Sequence, residues 1–345
     1  MSSFALYRMP HADCCTLVEQ RGDEVQRLYS CKELSEQTGF VVAPFQISPD
    51  QPIYVIRPDV VRRMKIEPPV SGRFEVAEEK DNRQVYASDY AHFHAQLESG
   101  VFRKVVLARS VSIRLRQTVD TLQLFWQACR LYPRLFISLV ALPGGDYWLT
   151  STPEILLEGE GVSWRTMALA GTMQLKGEQL KGEGEGICWS TKNIQEQRYV
   201  ATYIAGCLEK LSLSYREEGP YTVRAANLVH LRSDFTFTIN NNVRAGDLLE
   251  ILHPTPAVCG LPKRETFDFI VANESAPRRY YSGFMGPLGI DSATHLYVSL
   301  RCMHINGSTC RLYAGGGLLK DSIEEQEWAE TEAKLDTMRN LIKTK

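Results

Sequence analysis

The sequence predicts an α+β protein built on large antiparallel sheets, and three observations carry that prediction. Segments of strand-like alternation, separated by glycine-containing turns, crowd together between Leu135 and Met167 and again from Tyr280 onward. Long stretches with helical spacing of apolar residues are few. In two of these stretches, carboxylates stand where the apolar line should continue.

Residues 1–95 hold short apolar patches, Phe40 to Phe45 and Ile53 to Ile56 among them, broken by Pro44, Pro49, Pro52 and Pro58. A polar stretch from Glu75 to Arg83 follows, and this third of the chain is read as the N-terminal part of the same fold. Val105, Leu107, Val111, Ile113 and Leu115 then alternate as a strand, and Thr121 to Tyr132 reads as a helix. Strands are expected at Leu135–Leu142, Tyr147–Thr150, Ile155–Glu158 and Val162–Met167, joined as an antiparallel meander. The Gly, Glu and Lys-rich run from Lys176 to Gly186 lacks P-loop spacing and reads as a loop. Beyond the helix that starts at Lys192 come a strand at Phe235–Ile239, turns from His253 to Pro262 and a helix near Glu265–Ala272. Three further strands are expected, at Tyr280–Ile290, Leu296–Ile305 and Cys310–Ala314.

The two unusual helices run from Lys192 to Leu211 and from Ile323 to Ile342. In the first, the stripe Val200, Ile204, Cys207, Leu208 and Leu211 projects back one turn onto Glu196. In the second, Glu327, Glu330 and Lys334 lie on the line that continues into Met338 and Leu341. Buried carboxylates are costly unless paired or metal-bound, so an oxygen-liganded cation between the helices is one reading. For either helix alone, the wet rim of an amphipathic surface is the better one.

With 345 residues and 44% hydrophobic content, the chain can bury a large core. A formal net charge of -2 without like-charge blocks gives no reason to expect nucleic acid or a membrane surface as partner. The nine cysteines form an odd set without a CxxC pair, as expected of reduced, buried thiols in the cytoplasm. Arg8, His11 and Asp13 interrupt the N-terminus where a signal peptide needs apolar residues, which favours a soluble protein.

Single positions carry weaker signals. Lys104 lies mid-strand, between Arg103 and Val105; by local pattern it faces solvent, although a pocketed lysine with a lowered pKa is a general base. Glu154 follows Ser151, Thr152 and Pro153, where it is either a surface turn acid or a general acid held protonated. The small residues Ala168 to Thr172 suit close backbone approach to a ligand or a plain tight turn. Arg301 lies in the expected strand Val298–Ile305 and needs an anion, either an internal carboxylate or one on a substrate. Gly315, Gly316 and Gly317 follow Tyr313 at a strand end, and their bare N–H groups suit the same anion. His230 and His253 lack transition-metal spacing, so carboxylate ligands favour Mg²⁺ over zinc.

Taken in order, the blocks Lys104-Val-Val-Leu-Ala-Arg109, Ser151-Thr-Pro-Glu154, Ala168-Leu-Ala-Gly-Thr172, Lys192-Asn-Ile-Gln-Glu196, His230-Leu231, His253 to Gly260, Tyr281-Ser-Gly283, Arg301-Cys302 and Glu327 to Thr331 with Lys334 form a series. From about residue 100 onward this series resembles the chorismate-utilising enzymes, and among them the isochorismate synthase branch. The resemblance implies two packed, largely antiparallel sheets flanked by helices, with the active site between them and residues 96–345 as the chorismate-binding catalytic region. It also implies a Mg²⁺-dependent isomerisation in which water attacks C2 of chorismate while the C4 hydroxyl leaves. By position, Lys104 activates the water and Glu154 protonates the departing hydroxyl. Glu196 and Glu330 hold Mg²⁺, with Glu327 bridging through water. Arg301, Tyr281, the Gly315 backbone and Lys334 orient the substrate carboxylates, and Gly171, Thr172, His230 and Ala257 complete the substrate-binding set. A monomer or weak dimer is expected.

Three positions select the branch. Relatives that use ammonia, the anthranilate and aminodeoxychorismate synthases, usually lack the lysine at position 104, and the latter carry lysine where Ala170 stands. Salicylate synthases tend to have threonine at the position of Ala257. Water as nucleophile and isochorismate as product follow, with those enzymes, or a catalytically silent chorismate-binding regulator, as the alternatives. The chain departs from the family pattern at Gln197, usually His, and at Asn193, where some relatives have a second acid.

Overall fold

The computed structural model describes residues 3–342 apart from 23, 69–73, 81, 176–181, 183–185, 226 and 241, so most of the Lys176 to Gly186 segment lies outside the described residues. The first third of the chain supplies β1 (Phe4–Arg8), β2 (Cys14–Glu19), β3 (Gln26–Leu28), β4 (Gly39–Ala43), β5 (Ile53–Ile56), β6 (Val60–Lys65), β7 (Val76–Glu79) and α1 (Arg83–Glu98). The middle supplies β8 (Lys104–Leu115), α2 (Thr121–Leu131), β9 (Phe136–Ala141), β10 (Tyr147–Thr152), β11 (Ile155–Glu160), β12 (Ser163–Gln174) and α3 (Thr191–Lys210). Then follow β13 (Tyr215–Ala225), β14 (Leu228–Thr238), α4 (Ala245–Leu252), β15 (Gly260–Leu261) and α5 (Lys263–Asn273). The chain closes with β16 (Phe284–Leu288), β17 (Ala293–Val298), β18 (Cys302–Asn306), β19 (Thr309–Leu318) and α6 (Glu324–Ile342).

These strands form two sheets. One has ten strands, in the order β15-β8-β19-β18-β10-β9-β1-β2-β6 with β7 added on β8; the other has nine, β13-β14-β12-β11-β17-β16-β4-β5-β3. The sheets pack face to face through an aromatic-rich layer in which Phe136 stacks on Tyr297 at 4.2 Å and Tyr7 meets Phe40 at 5.6 Å. Strands from the first 95 residues sit in both sheets. Helices cover the outer faces. The stripe Val200, Ile204, Cys207 and Leu208 packs α3 and α4 on the nine-stranded sheet, while Leu335, Met338 and Leu341 pack α6 beside α2 on the ten-stranded one. Ser190 caps α3 by accepting from the Asn193 N–H, and three acids in the first turn of α6 complement its dipole. Among the described residues no helix is long and apolar enough to cross a membrane.

Several local expectations need correction. The meander is divided: β9 and β10 belong to one sheet, β11 and β12 to the other. The expected strand Leu296–Ile305 is two strands, because the chain leaves one sheet after Val298 and enters the other at Cys302. Residues Ala168 to Thr172 are no turn but the interior of β12, bulged at Gly171, where a φ of +68° suits glycine. Gly315 to Gly317 likewise lie within β19, paired with Ala108, Leu107 and Val106, rather than at a strand end. Helices α1 and α4 and strand β13 were not expected at all.

Candidate active site

Two crossovers between the sheets run side by side and create the centre of the site. The chain passes from β10 to β11 through Pro153 and Glu154, and from β17 to β18 through Arg301. Because β10 pairs with β18 and β11 with β17, the crossovers are stitched together: Ser151 N–H donates to the Arg301 carbonyl at 3.1 Å and Val298 N–H to the Glu154 carbonyl at 2.9 Å. An acid and a guanidinium thus share one seam. Arg301 takes a left-handed φ of 47° to make its crossing.

Glu154 is buried, not the surface turn acid that local reading favoured. Removal from water pushes its carboxyl up to about 8, even against the pull of Lys104, Lys334 and Arg301, so it keeps its proton near neutrality. Arg301 is also buried, and burial lowers its guanidinium to about 10, which leaves it cationic. It donates to His230 Nε2 and, at 3.3 Å, to the Ala225 carbonyl. That bond fixes the imidazole tautomer. Nε2 accepts, so Nδ1–H donates to the Gly171 carbonyl at 3.1 Å, and burial with the nearby arginine charge holds His230 neutral.

Lys104 opens β8 and is completely buried, contrary to its solvent-facing local pattern. A counter-charge from another helix makes this tolerable: Glu196 Oε1 on α3 lies 2.9 Å from its ammonium. The other Glu196 oxygen accepts from the Gly171 N–H at 3.2 Å. Burial alone would raise the Glu196 pKa, but Lys104, with Lys192 and Lys334 behind it, brings it below the ordinary value. The pair fits only because residue 317 is glycine. A Cβ there would stand 2.1 Å from Glu196 Oε1 and 3.0 Å from Lys104 Cε.

Across the glycine strand, Lys334 donates to the Gly315 carbonyl at 2.9 Å and to Glu330 at 2.7 Å. Glu327 is 1% exposed and pairs with Lys192 of α3. Burial and then the Glu330 charge raise the Glu327 carboxyl, against the pull of Lys192 and of the Ser322 hydroxyl. Both acids overhang Gly316, whose absent Cβ leaves space 3.4 Å from Glu327 Oε2 and 3.8 Å from Glu330 Oε1.

A cleft gathers Glu154, Gly171, Thr172, Glu196, His230, Ala257, Tyr281, Arg301, Gly315 and Lys334. Lys104 underlies it through Glu196. Glu327 and Glu330 are not in this cleft; they line an adjoining outer hollow with Lys192 and Asn193, and Thr172 borders both. Among the described residues no three His, Cys, Asp or Glu side chains converge as a ready metal cluster. Glu196, Glu327 and Glu330 each turn to a lysine instead. The donor set nevertheless fits a hard divalent cation, because two neighbouring carboxylates, Glu327 and Glu330, stand over a gap kept open by glycine.

Sequence reading gave no role to four residues that shape the site. Lys192 was quoted only as part of a block, although a cation in the first turn of a helix is a signal. Gln197 is fully buried and donates to the Ala168 carbonyl at 3.1 Å, bracing β12 where relatives are expected to have histidine. Arg278 and Glu274 form a buried pair beneath β8: Arg278 donates to the Val106 carbonyl at 2.8 Å, and Glu274 accepts from the Ala108 N–H at 2.7 Å. No local pattern announces that pair.

Two packed sheets around a cleft of lysines, an arginine and a protonated acid make a container for a small, highly anionic molecule. The chain belongs to the chorismate binding enzyme family, whose pattern matches residues 60–343. It is 31% identical over 250 residues to the isochorismate synthase MenF of Escherichia coli, covering 71% of this chain and 57% of that protein. The isochorismate synthase EntC of the same organism is 28% identical over 242 residues, 69% of this chain and 62% of that protein. The chain therefore spans about 57 to 62% of the length of these curated relatives. The solved structure of the menaquinone-specific isochorismate synthase MenF of Escherichia coli superposes with a TM-score of 0.84 at 23% identity, covering 99% of this chain and 89% of that one, which establishes the fold.

Proposed function

We propose that the protein is an isochorismate synthase that isomerises chorismate by adding water at C2 and expelling the C4 hydroxyl. The observation that carries this reading is the buried, protonated Glu154 lying in one cleft with Arg301, Lys334 and the Lys104–Glu196 pair. Arg301 takes a substrate carboxylate, with its second face held by neutral His230, and the Tyr281 hydroxyl lies beside Gly315 where a carboxylate is reached from the strand backbone. Lys104, paired as the ammonium with Glu196 at rest, first releases a proton to solvent and then accepts one from the attacking water. As the new C–O bond forms at C2, the ring double bonds shift, the C4–O bond breaks and Glu154 delivers its proton to the leaving oxygen. Solvent returns one proton from Lys104 to Glu154, so the reaction is a net isomerisation. Glu196, Glu327 and Glu330 are the proposed ligands for Mg²⁺, which when bound supplies positive charge for the ring carboxylate.

Ala257 in the cleft wall and Ala170 beside Gly171 support water addition that stops at isochorismate. The test is incubation of the purified chain with chorismate, Mg²⁺ and ammonium, with products identified by mass. Isochorismate alone supports the reading. Pyruvate with salicylate, or an aminated ring, assigns the neighbouring activities instead, and binding without turnover points to a regulator.

A further inference from the structure

The mechanism leaves one inward-drawn cation without a task. Lys192 lies in the first turn of α3, just after the Ser190 cap, where the exposed N–H groups of the helix disfavour positive charge. Its side chain is nevertheless only 25% exposed and presses onto Glu327. Glu196 and Glu330 act electrostatically on the same ammonium. The other two acids have their own partners, Lys104 on Glu196 and Lys334 on Glu330. Lys192 is the cation that faces the outer hollow with Glu327.

We propose that Lys192 is a resident counter-ion that takes the divalent cation's place at Glu327 in the metal-free protein and must withdraw when the metal enters. This inference rests on the reading of Glu196, Glu327 and Glu330 as metal ligands. An ammonium and a divalent cation drawn to one carboxylate repel each other, so the ammonium weakens metal binding while sparing the metal-free protein an uncompensated buried charge.

Calorimetric titration of the full chain with Mg²⁺ alone, without chorismate, tests this on wild type, Lys192→Met and Lys192→Arg. Removal of a like charge from the metal's surroundings should tighten Mg²⁺ binding by about tenfold or more in Lys192→Met, whereas Lys192→Arg keeps the charge and stays near wild type. Without metal, Lys192→Met should melt below wild type and gain more from saturating Mg²⁺. Equal or weaker Mg²⁺ binding by Lys192→Met overturns the counter-ion role and leaves the metal reading standing. Absence of Mg²⁺ binding in all three proteins removes the metal reading and this inference together. Should Lys192→Met fail to fold, wild type decides by amine labelling and peptide mass mapping: Lys192 must label faster with Mg²⁺ bound, and unchanged or slower labelling overturns the proposal.

Discussion

Glu154→Gln separates the acid's role in chemistry from its cost to the fold. The glutamine keeps the shape of the protonated acid and cannot lose a proton, so only the titration is removed. In the folded chain the carboxyl rises from 4.5 to about 8, a difference of roughly 5 kcal/mol at about 1.4 kcal/mol per pH unit. The sign follows from proton uptake. Between those two values the folded state holds a proton that the unfolded state has released, so this group's stabilisation is complete below pH 4.5, falls as pH rises and is gone above about 8. Urea denaturation of wild type and variant at several pH values is the assay, because titrations common to both cancel in the difference. From pH 5 to 9 the variant should gain several kcal/mol on wild type. In parallel, kcat/KM for chorismate should drop on the order of 100- to 10,000-fold in the variant, and wild type should lose activity on the alkaline side near pH 8. Parallel stability curves would refute the protonated state, and a variant that keeps a tenth of the activity would refute the acid role.

Three further outcomes are expected. Lys104→Ala should abolish turnover yet retain Mg²⁺-dependent chorismate binding, checked by calorimetry beside the product assay; retained turnover would show that another group serves as base. Gly317→Ala places a Cβ 2.1 Å from Glu196 Oε1, so the Lys104–Glu196 pair must separate, and both melting temperature and Mg²⁺ affinity should fall. Glu274→Gln leaves buried Arg278 without its counter-charge and should cost about 3 to 5 kcal/mol in denaturant titrations, far more than any loss of active-site ligands in the folded fraction.

The helices were legible where apolar spacing was regular. The stripe from Val200 to Leu208 in α3 and the run into Met338 and Leu341 in α6 gave nearly correct bounds, and the misplaced acids pointed inward. Helix α1 escaped notice because its buried line consists of Tyr86, Tyr90, Phe93 and Leu97 amid histidines and acids, which mutes the apolar contrast. The break at Arg301 was invisible for the opposite reason: apolar alternation continues on both sides, since both sheets bury their strands. Lys104 was misread locally because its counter-charge arrives from α3, and only the assembled fold brings Glu196 to it. His230 could be named from its block, but its bond to Arg301 joins residues 71 positions apart, which no window of sequence contains.

The stitched crossovers also bear on how this scaffold tolerates change in length. Edge strands such as β3 and β6 can gain or lose residues at their outer turns without moving the reacting groups, because nothing catalytic hangs from them. A single inserted residue between Thr152 and Ile155, or between Val298 and Cys302, would slip one ladder against the other and carry the proton donor out of step with the guanidinium. Indels should therefore scatter along the periphery of this architecture and be purged from its midline.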